Sequence, residues 1–245
     1  MRYFLGSLSL LWKVYIALVF FFWAIVLFPF FIAIVSFKKT KKYGFNIFIF
    51  WSYAFRFFCI YPIRKVLHAP LPEGPYIIVA NHTSYLDIFF MYSILPKYPF
   101  MFMGKSEILK YPIVRTYFKN MNVPVDRSNK SRSTRAFMGA LKAYRDGYAL
   151  AIFPEATFPT ENLPHMLPFK AGAFKLAKQL GAPILPLTFT NNYLLFSEPT
   201  IWLGPARPGL AVVHIHPVIS AEEVNALSET ELLERCFSTI EGPLK

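Results

Sequence analysis

The chain has 245 residues, 55% of them hydrophobic and 18% aromatic, with a mean hydropathy of +0.38 and only 16% charged residues. Disorder is excluded, because it goes with low hydrophobicity and few aromatics, and the length allows one full-sized domain plus an appendage. Against 14 Asp and Glu stand 26 Lys and Arg, a formal charge of +12 that implies an anionic partner; the apolar excess favours a membrane surface or phosphate-bearing substrate over nucleic acid.

Val14 to Phe37 is a run of 24 residues without a charge, about 36 Å long as a helix against a hydrocarbon core of about 30 Å. It is long enough to span a bilayer, and too long for the apolar region of a cleaved signal peptide. Pro29 lies inside it, so a kink or re-entrant turn competes with a straight span. The cluster Lys38-Lys39-Thr40-Lys41-Lys42 follows, heavier than Lys13 at the other flank, which places the remaining chain in the cytoplasm. Phe45 to Tyr61 is a second apolar-aromatic stretch, interrupted by Arg56 and short for a span, and is expected to be an interfacial helix or a second arm folded on the first. Residues 1–69 are thus expected to form N-terminal membrane-anchoring helices that either cross the membrane or lie in it. Cys59 and Cys236 show neither metal-site spacing nor a disulfide framework, and are expected to be small buried hydrophobes.

From Pro70 the punctuation changes. Pro70, Pro72, Gly74 and Pro75 form a linker, and the apolar run Tyr76 to Ala80 reads as a buried strand. Similar runs recur at Phe100 to Met103, Val123 to Val125, Ala149 to Phe153, Ile184 to Phe189 and Ala211 to Ile215. Helical patterns lie between and after them, at Tyr85 to Leu95, Glu107 to Phe118, Arg132 to Arg145, Lys170 to Leu180 and Ala221 to Ile240. Strands alternating with helices predict an α/β domain over residues 70–245, its sheet largely parallel and flanked by helices. Such sheets bind ligands outside the carboxyl ends of their strands.

Polar clusters fall at those ends. The first strand runs into Asn81-His82-Thr83-Ser84-Tyr85-Leu86-Asp87, where Asp87 at a helix start is able to hold one His82 ring nitrogen and leave the other to take a proton. Ser84-x-x-Asp87 is equally a capping box, and both readings stand. A third strand ends in Asp126-Arg127, with Arg127 able to grip a phosphate through paired hydrogen bonds, or with Asp126 paired to a neighbouring cation in a surface turn. Another strand ends in Phe153-Pro154-Glu155-Ala156-Thr157, its Glu155 either facing the same crevice or serving as a turn acid. Lys105 is a further cation leaving a strand end. Convergence of these clusters makes a candidate site.

In their order and spacing these residues resemble the 1-acylglycerol-3-phosphate acyltransferase family of glycerolipid acyltransferases. His82 and Asp87 match its His-x4-Asp motif, Val125-Asp126-Arg127 its second motif, Phe153 to Thr157 its Phe-Pro-Glu-Gly-Thr motif and Pro183-Ile184-Leu185-Pro186 its proline-bounded fourth block. The resemblance runs from about Pro72 to about Thr190. It implies the glycerolipid acyltransferase fold and a membrane-bound enzyme of phospholipid biosynthesis, which moves a fatty acyl group from a thioester to the sn-2 hydroxyl of 1-acylglycerol 3-phosphate. In that reading His82 is the general base and Asp87 orients it. Arg127, with Glu155, Ala156 and Thr157, holds the glycerol phosphate, Lys105 adds a phosphate contact, and the fourth block helps shape the acyl pocket. The partners implied are a lyso-lipid such as lysophosphatidic acid and an acyl donor, either acyl-CoA or an acyl carrier protein, with no metal or other cofactor and no nucleic acid. The setting implied is a membrane, the inner one if the chain is bacterial. Ala156 stands where the motif carries Gly, Phe158 where an Arg often follows, and Met121 and Asn122 where a Gly usually precedes the second motif. These departures leave another lyso-lipid acceptor, such as a lyso-aminolipid, as the alternative.

No G-x-S-x-G elbow accompanies Thr83 or Ser84, which speaks against a covalent acyl-enzyme and for direct attack within a ternary complex. His68, His165, His214 and His216 show no ligand spacing and are expected to be structural.

Overall fold

The computed structural model describes residues 2–126, 129–159, 163–198 and 201–245. Helix α1 spans Arg2–Val35 and continues through Pro29, so of the two readings the re-entrant turn does not occur. A short basic turn leads into α2, Gly44–Phe58. The α1 residues that turn inward, Lys13, Ile16, Ala24, Leu27 and Phe31, recur at helical three- and four-residue steps or their sums and mark one stripe. At 34 residues the helix is about 51 Å long, and its contacts run along nearly all of it. Trp12 Nε1 donates to the Tyr61 hydroxyl at 3.0 Å, and the Tyr117 hydroxyl donates to the Ala24 carbonyl at 2.8 Å. The ring of Phe20 lies 4.7 Å from Trp51 and 5.5 Å from Phe89, and Phe31 lies 4.5 Å from Tyr117. The opposite side of α1 leaves Leu8, Leu11, Leu18, Phe21, Phe22, Ile25 and Phe30 exposed.

The domain beneath is a seven-stranded sheet in the order β1-β7-β6-β2-β5-β3-β4. Its strands are β1 Ile63–Leu67, β2 Ile77–Ala80, β3 Phe100–Lys105, β4 Val123–Val125, β5 Ala149–Ile152, β6 Ile184–Phe189 and β7 Ala211–Ile215. Every pairing is parallel except β6 with β7. The central strands β2 and β6 are buried at every position, which is why they read as unbroken apolar runs rather than alternating ones. Alternation decides which layer each residue joins. Ile78 and Ala80 pack toward α1, α2 and α3 (Tyr85–Ile94), with α4 (Pro112–Met121) on the same side; Ile77 and Val79 pack toward α5 (Lys130–Arg145), α6 (Gly172–Leu180) and the C-terminal helices. The apolar N-terminal helices therefore cover one face of the sheet.

The expected strands and helices appear, with four differences. The helix expected over Glu107 to Phe118 is a 3-10 turn, Ser106–Lys110, followed by α4, which starts afresh at Pro112. Strand β1 lies within the stretch read as anchor and pairs with β7 from Ile63↔Ala211 onward, so the sheet begins before Pro70. A four-residue helix, α7 (Asn192–Leu195), follows β6. The single helix expected over Ala221 to Ile240 is two, α8 (Ala221–Ala226) and α9 (Glu229–Glu241), each opened by its own capping box, Ser220 with Glu223 and Ser228 with Glu231. Two complete start signals eight residues apart specify two helices.

Phe31 is fully buried at the junction of α1, α2 and α4. Phe31→Ala is expected to cost about 3–5 kcal/mol, read as a lowered denaturant midpoint; a midpoint unchanged from the parent would mean that α1 is not part of the folded core.

Candidate active site

At the carboxyl end of β2 the chain turns sharply between β5 and β6. Asn81, fully buried, pins the turn to β6: its Nδ2 donates to the Phe189 carbonyl at 2.9 Å and its Oδ1 accepts from the Phe189 N–H at 2.8 Å. Ser84 then adopts an extended backbone as the cap of α3, its Oγ accepting from Leu86 N–H while the Asp87 side chain reaches back to the Ser84 N–H. The capping box read from the sequence is therefore real, and so is the dyad. The same Asp87 Oδ2 accepts the Ser84 N–H at 2.9 Å, the Thr83 N–H at 2.7 Å and the His82 ring Nδ1–H at 3.1 Å. Asp87 Oδ1 accepts from Asn192 Nδ2 at 2.7 Å. Four donors on a carboxylate with no solvent exposure are what a buried charge requires.

This arrangement fixes the His82 tautomer. Donation from Nδ1 to Asp87 leaves the lone pair on Nε2, and no group among the described residues hydrogen-bonds Nε2. The ring is held flat by aromatic neighbours, Phe153 stacked at 3.9 Å and 12°, and Phe158 at 4.1 Å on a tilt. Phe153 in turn stacks on Phe102, so the imidazole is oriented by the sheet itself.

Glu155 lies behind the dyad. Its Oε1 accepts the His82 backbone N–H and its Oε2 the Leu167 N–H, both at 2.7 Å, and the residue is 2% exposed. Both oxygens thus accept from the protein's own backbone and tie the His82 loop to the segment at Leu167. Burial lifts its carboxyl to about 7; the two N–H donors oppose the rise and the charge of Asp87 adds to it. Ala156 follows with φ at +68°, the left-handed region that Gly occupies without strain. The motif position that carries Gly in the resembled family does require that backbone shape here.

Lys105 ends β3 and is exposed, as is Thr157. Asp126 pairs with Arg132 at 2.9 Å, the surface-turn reading of that acid. Arg127 lies outside the described residues. Ser84 Oγ donates to the Phe196 carbonyl at 2.6 Å, which engages it structurally. Cys59 and Cys236 are free and buried. No group of three or more His, Cys, Asp or Glu suited to a metal ion occurs among the described residues. His216 bonds the Thr188 hydroxyl at 2.8 Å and stacks on His68, the structural part expected of it. Sequence reasoning missed Asn192, 105 residues from the carboxylate it holds; its only signal was an Asn pair just past the end of a buried strand.

Comparison with known proteins bears on the family and the fold. The profile of the acyltransferase family matches residues 63–190, just over half of the chain. A Saccharomyces cerevisiae protein named 1-acyl-sn-glycerol-3-phosphate acyltransferase is 30% identical over 199 residues, covering 76% of this chain and 64% of that one. A Borreliella burgdorferi protein of the same name is 33% identical over 158 residues, covering 63% of this chain and 59% of that one. The chain therefore spans about three fifths of the length of these relatives. The crystal structure of a 1-acyl-sn-glycerophosphate acyltransferase, PlsC, from Thermotoga maritima superposes with a TM-score of 0.75 at 23% identity, over 100% of this chain and 96% of that one, so the two share a fold.

Two substitutions test the local account. Ala156→Gly removes a left-handed strain of about 1–2 kcal/mol, partly offset by roughly 0.5–1 kcal/mol of added chain freedom, so stability is expected to rise by about 0.5–1 kcal/mol in denaturant unfolding; a loss would mean that the residue is unstrained. Glu155→Gln sets an amide NH2 against a backbone N–H and is expected to cost about 2 kcal/mol. The wild-type pH slope also changes. A carboxyl raised to about 7 in the fold, against 4.5 ordinarily, contributes stability that is complete below about 4.5 and is lost as pH rises through about 7. His216, pushed down to about 4 by burial and its histidine neighbours, acts oppositely, so the wild-type minus Glu155→Gln difference isolates the glutamate. That difference should decline from pH 4.5 to 7; a flat one would place Glu155 at an ordinary carboxyl value.

Proposed function

We propose that this chain, which belongs to the acyltransferase family, transfers a fatty acyl group from a thioester donor to the sn-2 hydroxyl of a 1-acylglycerol 3-phosphate, forming phosphatidic acid. The observation that carries this reading is the His82–Asp87 dyad at the end of β2, with its Nε2 lone pair left for a substrate proton.

A thioester is already an activated acyl donor, so the step needs a base and not a protein nucleophile. His82 Nε2 takes the proton of the lipid hydroxyl as its oxygen attacks the thioester carbonyl. The C–O bond forms, the tetrahedral intermediate collapses with loss of the C–S bond, and the departing thiolate receives the proton from the imidazolium. Asp87 holds the ring in the productive tautomer and balances the imidazolium charge, as a carboxylate does in hydrolytic triads. Asn192 and the Thr83 and Ser84 N–H groups keep that carboxylate in place. Arg127 and Lys105 are the cations assigned to the phosphate of the acceptor. Phe158, set against the His82 ring where the resembled motif often carries Arg, favours as a second reading a less anionic lyso-lipid, such as a lyso-aminolipid.

The acceptor is a lipid, and α1 and α2 are read as the membrane element. A helix packed on its domain from Trp12 to Phe31 is not free to cross a bilayer away from that domain. We therefore place α1 in the membrane plane with its exposed apolar side in lipid and the catalytic domain on the cytoplasmic side. The thioester is carried by CoA or by an acyl carrier protein.

His82→Ala is expected to lower kcat by at least about 10³-fold while the fold is retained at a lowered thermal midpoint, because Asp87 loses one of its four donors; near-normal turnover would end the mechanism. Arg127→Ala should raise KM for lysophosphatidic acid by about tenfold or more with little change in kcat. An unchanged KM for that lipid, alongside turnover of a lyso-aminolipid, would support the second reading.

A further inference from the structure

Two consecutive residues of α1 reach the segment that follows α7. Trp12 Nε1 donates to the Tyr61 hydroxyl at 3.0 Å, and that hydroxyl donates to the Leu195 carbonyl at 3.2 Å. Lys13 Nζ donates to Ser197 Oγ at 2.9 Å and to the Ile201 carbonyl at 2.5 Å. The chain is therefore gripped from α1 on both sides of Phe196. The segment is itself stiff: a bridge joins Phe196 to Ala206, Arg207 N–H donates to Leu195 O at 3.0 Å, and Ser197 N–H donates to Pro205 O at 2.8 Å.

From Phe196 two routes lead to Asp87. The Phe196 carbonyl accepts from Ser84 Oγ at 2.6 Å, and the Ser84 N–H donates to Asp87 Oδ2 at 2.9 Å. The Phe196 N–H closes α7 on the Asn192 carbonyl at 2.9 Å, and Asn192 Nδ2 donates to Asp87 Oδ1 at 2.7 Å. Each carboxylate oxygen thus has a donor whose place depends on the Leu195–Ser197 segment. Of the two α1 residues, Lys13 is the costly one. Beyond Arg2 it is the only charged residue of α1, it is 8% exposed, and its two acceptors are a neutral hydroxyl and a neutral carbonyl. A buried cation with such partners stabilises a fold less than an apolar side chain of similar length would, so packing alone does not account for it. Fixing the place of the segment by directed hydrogen bonds does.

We infer that Lys13, assisted by Trp12, is a positioning residue for acyl transfer: it holds the Leu195–Ser197 segment and, through Ser84 and Asn192, keeps the Asp87 carboxylate where it orients the His82 ring. Helix α1 is then part of the framework of the active site and not only an apolar cover for the sheet. The inference rests on the reading of His82 as the base of the proposed reaction.

Lys13→Met keeps a side chain of similar length and removes the donor. Assayed with lysophosphatidic acid and acyl-CoA, its kcat is expected to fall about tenfold, because small displacements from the reacting geometry suffice, while KM stays within about twofold and the thermal midpoint is at or above the parent's. Trp12→Phe, which removes the other strut's donor, should lower kcat in the same sense by a smaller factor. In nitrogen-15 spectra of histidine-labelled Lys13→Met the two His82 ring signals should draw together, as a less firmly held Asp87 admits the second tautomer. A His82 spectrum identical to the parent's overturns the inference whatever happens to kcat, and so does a raised KM at unchanged kcat. Should Lys13→Met fail to fold, Ser197→Ala, which removes only the side-chain acceptor of Lys13, carries the same readouts. The spectra need no turnover: a parent chain that transfers no acyl group, with the His82 signals still disturbed in Lys13→Met, would overturn the proposed reaction and leave the positioning contact standing.

Discussion

The active-site end of the molecule depends on one buried charge. Asp87 sits at the start of α3 with no solvent exposure and is stable there only because four donors converge on it, two backbone N–H groups, the His82 ring and Asn192. Satisfying that carboxylate sets the entry of α3, the shape of the turn after β2, the position of α7 and the tautomer of the His82 ring in one arrangement. Removing any donor leaves a buried charge short of a partner, which low dielectric makes costly. Glu155 repeats the device one strand over, its two oxygens tying the His82 loop to the segment at Leu167.

The second organising feature is the aromatic layer that joins the apolar helices to the sheet. Trp51, Phe48, Phe55, Phe89 and Tyr117 form a continuous set of ring contacts beneath α1, so the helix reads as part of the domain's core on one side and as lipid-facing on the other. A helix built into the core this way is held at a fixed position relative to the site. The loop at Ile201–Leu203 reaches α1 through Lys13 and reaches the site through the Phe196 carbonyl, which accepts from Ser84. The same short segment therefore touches both α1 and the turn that carries His82.

Much of this was legible in the sequence, for identifiable physical reasons. Val123–Val125, Ile184–Phe189 and Ala211–Ile215 were read with the ends they have in the structure, because each is a short run rich in branched apolar residues bounded by turn signals. Strand β1 was not, since Arg64 and Lys65 sit on an exposed edge strand where cations guard against stray pairing. The break between α8 and α9 was written in two Ser-x-x-Glu boxes that the longer apolar periodicity concealed. At the site, cap and dyad looked like rival readings of Ser84 and Asp87, yet a carboxylate has enough acceptor capacity for both. Glu155 was expected to face substrate; that its oxygens turn inward depends on the Leu167 N–H, whose approach no local pattern announces. Asn192 was invisible for the same reason, being brought to Asp87 only by the crossover from β6.

The claim on which the chemistry rests is that Asp87 holds the proton of neutral His82 on Nδ1 and leaves Nε2 bare. Nitrogen-15 NMR of histidine-labelled protein, with the His82 signals assigned by their loss in His82→Asn, measures this directly on the neutral ring. A protonated Nδ1 and an unprotonated Nε2 are predicted. A proton on Nε2 would contradict the assignment of His82 as the base that receives the lipid hydroxyl's proton.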